Sequence, residues 1–320
     1  MSRAREQGMV AVGQTIRTSL LSLVYSHGDL LRAVRDGEAL LAESLDRRER
    51  AVAAGFTAAA MVDVGRFDDA RRLVAAGRSF ASEDIGGCFD VLWAEVELAL
   101  ADGHAGDALR LSEAFLARFG ETDYGDIAFM QSAHDWAAVE VGRHPGPIGG
   151  TFRSVHRQQR PTQLEREALR LLAEAQDSPA AERFVAAADA FAPYHRRSEL
   201  RCRWGAGESL RRAGRLEEAR AVLEAAEQLA GDTWVPMGRR IRRSLRLAGA
   251  LRSAPRRGAG TLTAREREVL ELVGGGLTNA EIAARLGVTG RTVATIVGNA
   301  AAKLGTRSRA QTALRAAETS

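Results

Sequence analysis

Apolar residues recur along most of the chain at three- and four-residue intervals, as at Leu216, Ala219, Val222 and Leu223, which share one face of a helix. No alternating β-branched run with a hairpin signal interrupts them, so the pattern predicts an all-α chain. Short turn signals punctuate the helices. Gly65-Arg-Phe-Asp-Asp-Ala70, Gly103-His-Ala-Gly-Asp-Ala108 and Gly214-Arg-Leu-Glu-Glu-Ala219 each place Ala five positions after Gly. With weaker breaks at Gly142-Arg143 and Ser178-Pro179, successive separations are 38, 39, 36 and 36 residues, which is a repeat period. Each unit reads as helix, turn, helix. Two helices cannot cover their own apolar faces, so the units must stack. His144-Pro-Gly-Pro-Ile-Gly-Gly150 breaks the middle unit as a loop or kink, because Pro145 and Pro147 remove donors and restrict the backbone. Arg239–Arg246 closes the array as a basic helix with Ile241, Leu245 and Leu247 inward, and the Pro/Gly-punctuated stretch after it is a linker. These marks divide the chain into a repeat domain over 1–252, a linker over 253–260 and a tail over 261–320.

The tail is dense with helix punctuation. Thr263-Ala-Arg-Glu266, Thr278-Asn-Ala-Glu281 and Ser308-Arg-Ala-Gln311 fit the capping box, Thr289 suits an N-cap, and Gly274, Gly287 and Gly305 suit left-handed stops. Four helices follow, over about 264–273, 279–286, 291–304 and 308–317. The second and third are joined by Gly287-Val-Thr-Gly290, the short turn of a helix-turn-helix. On the third, Val293, Val297, Ala300 and Leu304 face the core, opposite Arg291, Thr295, Gly298, Asn299 and Ala302, with Ala294, Ile296 and Lys303 on the flanks.

Charge sharpens this division. The whole chain carries a formal +4, yet residues 237–320 hold 16 basic against 5 acidic side chains, leaving the rest net acidic. A basic end is the electrostatic footprint of a polyanion partner. Enzyme motifs are missing: Lys303 is the sole lysine and lacks the glycines of a phosphate-binding loop, and no Gly-x-Ser-x-Gly elbow occurs. His27, His104, His134, His144, His156 and His195 lack metal-ligand spacing and are expected to be packed or solvated, and the adjacent His134 and Asp135 are expected to point apart. Cys88 and Cys202 are expected as core thiols, and Trp93 and Trp204, ten residues before their turns, as equivalent core positions. Trp136 and Trp234 fit no such register. No apolar run is long enough for a membrane span and the start lacks a signal-peptide core, so a cytoplasmic protein without cofactor or metal is expected.

Leu262-Thr-Ala-Arg-Glu-Arg-Glu-Val-Leu270, Gly276-Leu-Thr-Asn-Ala-Glu-Ile-Ala-Ala-Arg-Leu286, Thr292-Val293 and Lys303-Leu-Gly305 resemble the C-terminal DNA-binding domain of LuxR-family regulators. The preceding helices, especially Arg183–Leu229, resemble the tetratricopeptide-like region of the large ATP-binding members, without their nucleotide-binding domain. The resemblance implies a tetratricopeptide-like helical array followed by a four-helix LuxR-type helix-turn-helix domain, in a transcription regulator that binds double-stranded DNA as a homodimer. It implies phosphate contacts from Thr278, Asn279 and Thr289, and a groove-facing row of Arg291, Thr292, Thr295, Asn299 and Lys303. The array is then a sensor or docking region for a protein such as RNA polymerase or for a small molecule. Ala294, Ile296 and Gly298 depart from the family, where polar or basic residues are usual. They keep open an alternative: a helical-repeat interaction scaffold whose tail has lost DNA readout.

Overall fold

The computed structural model describes residues 3–146, 159–253, 262, 264–286, 288–304, 306, 311–312 and 315–316. Among these residues there are fifteen helices and no strand. They are α1 (Arg3–Ser26), α2 (Leu30–Leu41), α3 (Arg47–Asp63), α4 (Phe67–Phe80), α5 (Ile85–Ala101), α6 (Ala105–Phe119), α7 (Ile127–Glu140) and α8 (Gln159–Ala173). After these come α9 (Asp177–Phe191), α10 (Arg196–Arg212), α11 (Leu216–Ala230), α12 (Val235–Ser253), α13 (Ala264–Gly274), α14 (Asn279–Leu286) and α15 (Gly290–Leu304). The chain forms two compact units, residues 1–248 and 249–320.

In the first unit, tight turns recur with one geometry. Gly65 and Gly103 take positive φ, as do Gly28, Gly142 and Gly214. At Gly65 the chain closes α3 by two reverse bonds, Gly65 N–H to the Val62 carbonyl at 3.0 Å and Arg66 N–H to the Met61 carbonyl at 2.8 Å. That is a Schellman ending, and glycine suits it because a Cβ crowds the left-handed conformation. The expected break at Ser178-Pro179 lies elsewhere: the left-handed residue is Ala175 at φ 58°, with Gln176 N–H bonded back to the Leu171 carbonyl at 2.8 Å. Ser178 and Pro179 instead sit in the first turn of α9, where a missing N–H is harmless. Of the middle break, residues 144–146 are irregular and the rest of that stretch lies outside the described residues.

Small residues set the packing distance between helices. On α3, Ala51, Ala53, Ala54, Ala58, Ala59 and Ala60 are all buried. A Cβ placed on Gly55 would come within 2.4 Å of the Asp90 backbone carbonyl carbon on α5, so this crossing tolerates only glycine. Cys88 and Cys202 are buried free thiols.

The interior of this unit is tied together by charge. On α10, Arg201 Nη1 donates to Glu97 of α5 at 3.0 Å and its Nε to Glu165 of α8 at 3.3 Å, while Arg197 Nε donates to Asp63 of α3 at 3.0 Å and also pairs with Glu97. Glu97 and Glu165 are buried, and the two arginines hold the Glu97 carboxyl below its usual range against the opposing effect of burial. Removing one member of such a cluster strands a buried charge, at a cost of about 3–5 kcal/mol. The four tryptophans now have places. Trp136 stacks on Phe184 at 5.4 Å, lies 5.6 Å from Trp204, and donates its indole N–H to Glu165 at 2.7 Å. Trp204 donates to Ser244 of α12 at 3.1 Å, Trp93 is buried, and buried Trp234 packs against the Gly28 turn. On α12, Ile241 is fully buried and Leu245 packs on the core, but Leu247 is 41% exposed rather than inward.

Candidate nucleic-acid interface

The second unit is a small helical framework. Val269 and Val273 of α13, Ile282 and Ala283 of α14 and Val293 of α15 form its core, and Leu277, Leu286, Val288, Ile296 and Val297 close around them. A second cluster joins Leu270, Ala300 and Ala316, flanked by Leu262 and Leu304. The spacing Val293, Val297, Ala300 and Leu304 thus does point α15 inward. Ile296, expected on a flank, packs against the core as well, so its apolar character has a structural use. Of the fourth helix expected over 308–317, residues 311–312 and 315–316 are helical and the others lie outside the described residues.

Side-chain caps fix where α14 and α15 begin. The Thr278 hydroxyl accepts from the Glu281 N–H at 3.3 Å, and the Thr278 N–H and hydroxyl each donate to the Glu281 carboxylate at 2.7 Å. This reciprocal box satisfies amides that the helix itself leaves unpaired. The same bonds hold the Glu281 carboxyl below its usual range. Thr289 accepts from the Thr292 N–H at 3.2 Å, and the two hydroxyls lie 2.9 Å apart. The left-handed residue after α13 is Gly276, at φ 82°, rather than Gly274, which ends the helix. Gly287, Gly305 and Thr263 lie outside the described residues, as do Ser308 and the linker beyond Ser253.

The expected contact residues fall into three groups. Thr278, Thr289 and Thr292 are exposed at the starts of α14 and α15, with hydroxyls engaged in the caps. Asn279 is half-buried, and its side-chain carbonyl is buried without a hydrogen-bond partner. Arg291, Thr295, Asn299 and Lys303 all lie on α15, but their side chains fall outside the described residues. By helical register Arg291, Thr295 and Asn299 occupy the side of α15 away from Val293 and Ala300, with Thr292 and Lys303 beside them. The exposed Ala294 and Gly298 interrupt this side and offer neither charge nor a side-chain hydrogen bond.

One positioning contact went unread in the sequence. Arg265 of α13 donates from Nη2 to the Leu286 carbonyl at the end of α14, at 3.2 Å, and from Nη1 to Glu268 at 2.7 Å. Its position in the Leu262–Leu270 motif carried no signal of this, because the partner is a backbone atom 21 residues away. Elsewhere, His134 Nδ1 lies 2.9 Å from Asp135 Oδ1, so these neighbours meet instead of pointing apart. Asp135 in turn accepts from Arg166 Nε at 2.6 Å, which makes the pair part of a buried ion cluster. Among the described residues no group of His, Cys, Asp and Glu is placed to hold a metal ion, and no helix is long and apolar enough to cross a membrane.

Residues 260–316 match the model of the luxR family of bacterial regulatory proteins. The chain is 52% identical over 60 residues to proteins named HTH-type transcriptional regulators in Mycobacterium bovis and Mycobacterium tuberculosis. That alignment covers 19% of this chain and 7% of each relative, so the chain spans only a small part of the curated relatives it matches. No solved structure matches the chain.

Proposed function

Because residues 260–316 form a luxR-family helix-turn-helix domain, we propose that the chain is a cytoplasmic transcription regulator that reads an operator through α15. The observation that carries this reading is the capped α14–α15 pair. The Thr278 box and the Thr289 cap place two helix N-termini on the surface, where backbone amides and the positive end of the helix dipole favour phosphate. Thr278, Asn279 and Thr289 then position the unit on the backbone, while Arg291, Thr292, Thr295, Asn299 and Lys303 lie along the groove. In this geometry Arg291 pairs with guanine and Asn299 with adenine.

A single helix-turn-helix covers one half-site, so the operator is bound by a homodimer. An exposed apolar stripe on α1, comprising Met9, Val12, Ile16, Leu20 and Leu23, supports self-association. The first unit serves as sensor or docking region. A gel shift of the full chain on the DNA upstream of its own gene tests the proposal. A shift at micromolar protein that weakens steeply with salt is expected, and no salt-sensitive shift overturns it.

The exposed Ala294 and Gly298 favour a second reading, a repeat scaffold whose tail keeps its fold without reading DNA. Under it, Arg291→Ala with Asn299→Ala leaves cellular regulation unchanged. Loss of regulation in that double variant eliminates it.

A further inference from the structure

Helical register gives α12 two opposite faces. Ile241 and Ala248 are buried, as is Ser244, which accepts from the Trp204 indole N–H. Away from them Arg239, Arg243 and Arg246 stand at i, i+4 and i+7, within about 60° of one another around the helix axis, and all three are exposed. Among the described residues none of these guanidinium groups takes part in an ion pair or a hydrogen bond. Elsewhere on the first unit, exposed arginines such as Arg32, Arg66, Arg110 and Arg220 lie 3.1, 2.6, 3.2 and 2.6 Å from Asp36, Asp69, Asp107 and Glu224. The α12 stripe has been left without that compensation.

Nearby carboxylates do not cancel its charge. The groove that Arg243 borders also holds Asp102, Glu140 and Glu208, and each is taken: Asp102 by Arg71 at 2.6 Å, Glu208 by Arg211 at 2.5 Å and Glu140 by Arg240. Arg242, at the edge of the stripe, keeps only a loose pair with Glu227 at 3.8 Å. Like charges three and four residues apart on a helix repel, so the arrangement works against the fold until a polyanion meets it. Seven residues of helix span about 10 Å, and one strand of a duplex offers a phosphate for every 3.4 Å or so of axis, so the stripe matches about three phosphate steps.

We propose that Arg239, Arg243 and Arg246 form a second DNA-contacting surface, which holds the phosphate backbone of a duplex without reading its bases. This inference rests on the reading of the chain as a DNA-binding protein. Arginine suits the role, because its planar fork meets phosphate oxygens two at a time. Only ten residues separate Ser253 at the end of α12 from Ala264 at the start of α13, so a duplex held by the helix-turn-helix is presented to α12 at high effective concentration. The exposed Ala294 and Gly298 give α15 no charge at two positions of its outer side, and α12 supplies three cations instead. A lipid surface fits less well. A helix that lies in a membrane interface needs its apolar face free, whereas that of α12 is buried in the core and Leu247 is the one large apolar residue exposed among its described side chains.

The test is fluorescence anisotropy of the full chain on two labelled duplexes, one of scrambled sequence and one from upstream of its own gene, over a salt series from about 50 to 200 mM. One triple variant carries Arg239→Gln, Arg243→Gln and Arg246→Gln. A control triple variant, Arg32→Gln, Arg110→Gln and Arg220→Gln, removes the same charge elsewhere on the first unit. In the α12 variant the slope of log affinity against log salt should be shallower by about 2.7 on both duplexes, which is about 40-fold less affinity lost across the series. Its preference for the upstream duplex should stay that of the parent, since phosphate contacts carry no sequence information, and its circular dichroism should stay native. A change in slope below about 0.9, the worth of one phosphate contact, overturns the proposal, as does an equal change in the control or a parent that does not bind the scrambled duplex at about 50 mM salt. Loss of binding to phosphatidylserine vesicles with an unchanged duplex slope assigns the stripe to lipid and also overturns it. A parent that binds both duplexes equally defeats operator reading by α15 instead, and the α12 slope is still measured on the scrambled duplex.

Discussion

Arg265 and Leu286 are joined by a single bond, guanidinium to carbonyl at 3.2 Å, that ties the start of α13 to the end of α14. The last carbonyls of a helix have no partner within it, so a cation placed there fixes both the end of α14 and the turn into α15. Arg265→Met keeps the apolar stem and removes the donor. We expect faster amide hydrogen exchange in 279–286 and a loss of about 0.5–1 kcal/mol, the low end because the arginine is half exposed. Exchange measured by mass spectrometry on the full chain checks this, and unchanged protection contradicts it. Tryptophan fluorescence would miss the effect, since all four tryptophans lie before residue 249.

The outer side of α15 has two positions open to improvement. Gly298 is exposed and a Cβ there meets nothing within 4 Å, so Gly298→Ala should stabilise α15 by about 1 kcal/mol. Ala294→Arg adds one cation on the same helix. If that side meets DNA, the slope of log affinity against log salt should steepen by about 0.9. Amide hydrogen exchange in 290–304 reads the first effect and a gel-shift salt series on Ala294→Arg the second; an unchanged slope places residue 294 away from phosphate.

Ala175 holds a positive-φ conformation of the kind that glycine holds at Gly28, Gly65, Gly103, Gly142 and Gly214. The strain of a Cβ in that region is about 1 kcal/mol. Ala175→Gly should therefore leave stability unchanged or raise it by up to about 1 kcal/mol, despite the extra freedom glycine gives the unfolded chain. Most other substitutions to glycine in a helical protein go the opposite way. Urea denaturation followed by tryptophan fluorescence reports on this unit directly, and a destabilisation above about 0.5 kcal/mol would show that the turn is unstrained.

Asp90 links stability to pH. Its folded pKa, pushed up to about 8 by burial and by Asp126, exceeds that of an ordinary carboxyl. Its contribution is therefore complete below the unfolded value near 4 and is lost as pH rises through about 8. Asp90→Asn removes the titration. The variant should gain on the parent protein from about pH 4 upward and level off above about pH 8, reaching a few kcal/mol at most. Thermal melts at pH 5, 7 and 9, values chosen to bracket that window, measure the difference. A gap that shrinks with rising pH contradicts the assignment.

Much of the helical framework could be read along the chain, for local reasons. The bounds expected for α14 agree with those observed, and those for α13 and α15 differ by one residue, because the Thr278 box and the Thr289 cap are written within four residues of the helices they start. The turns at Gly65, Gly103 and Gly214 were equally local. The turn at Ala175 escaped because its residue lacks the usual mark of a left-handed position, and proline at 179 drew attention to a helix start instead. Gly28 carries the same local mark, with Ala33 five positions on, and belongs to the same series of turns.

What the linear order of residues determined is the set of helices and the motif that matches the luxR family, since caps, periodicity and turn glycines act over a few residues. Tertiary structure alone decided that Arg201 meets Glu97 across 104 positions, that Arg265 closes α14, and that Phe56, Trp93, Phe129 and Asp90 surround one cavity. These are meetings of side chains from separate helices, and which helices meet depends on the sum of many packing contacts. No short stretch of sequence carries that sum.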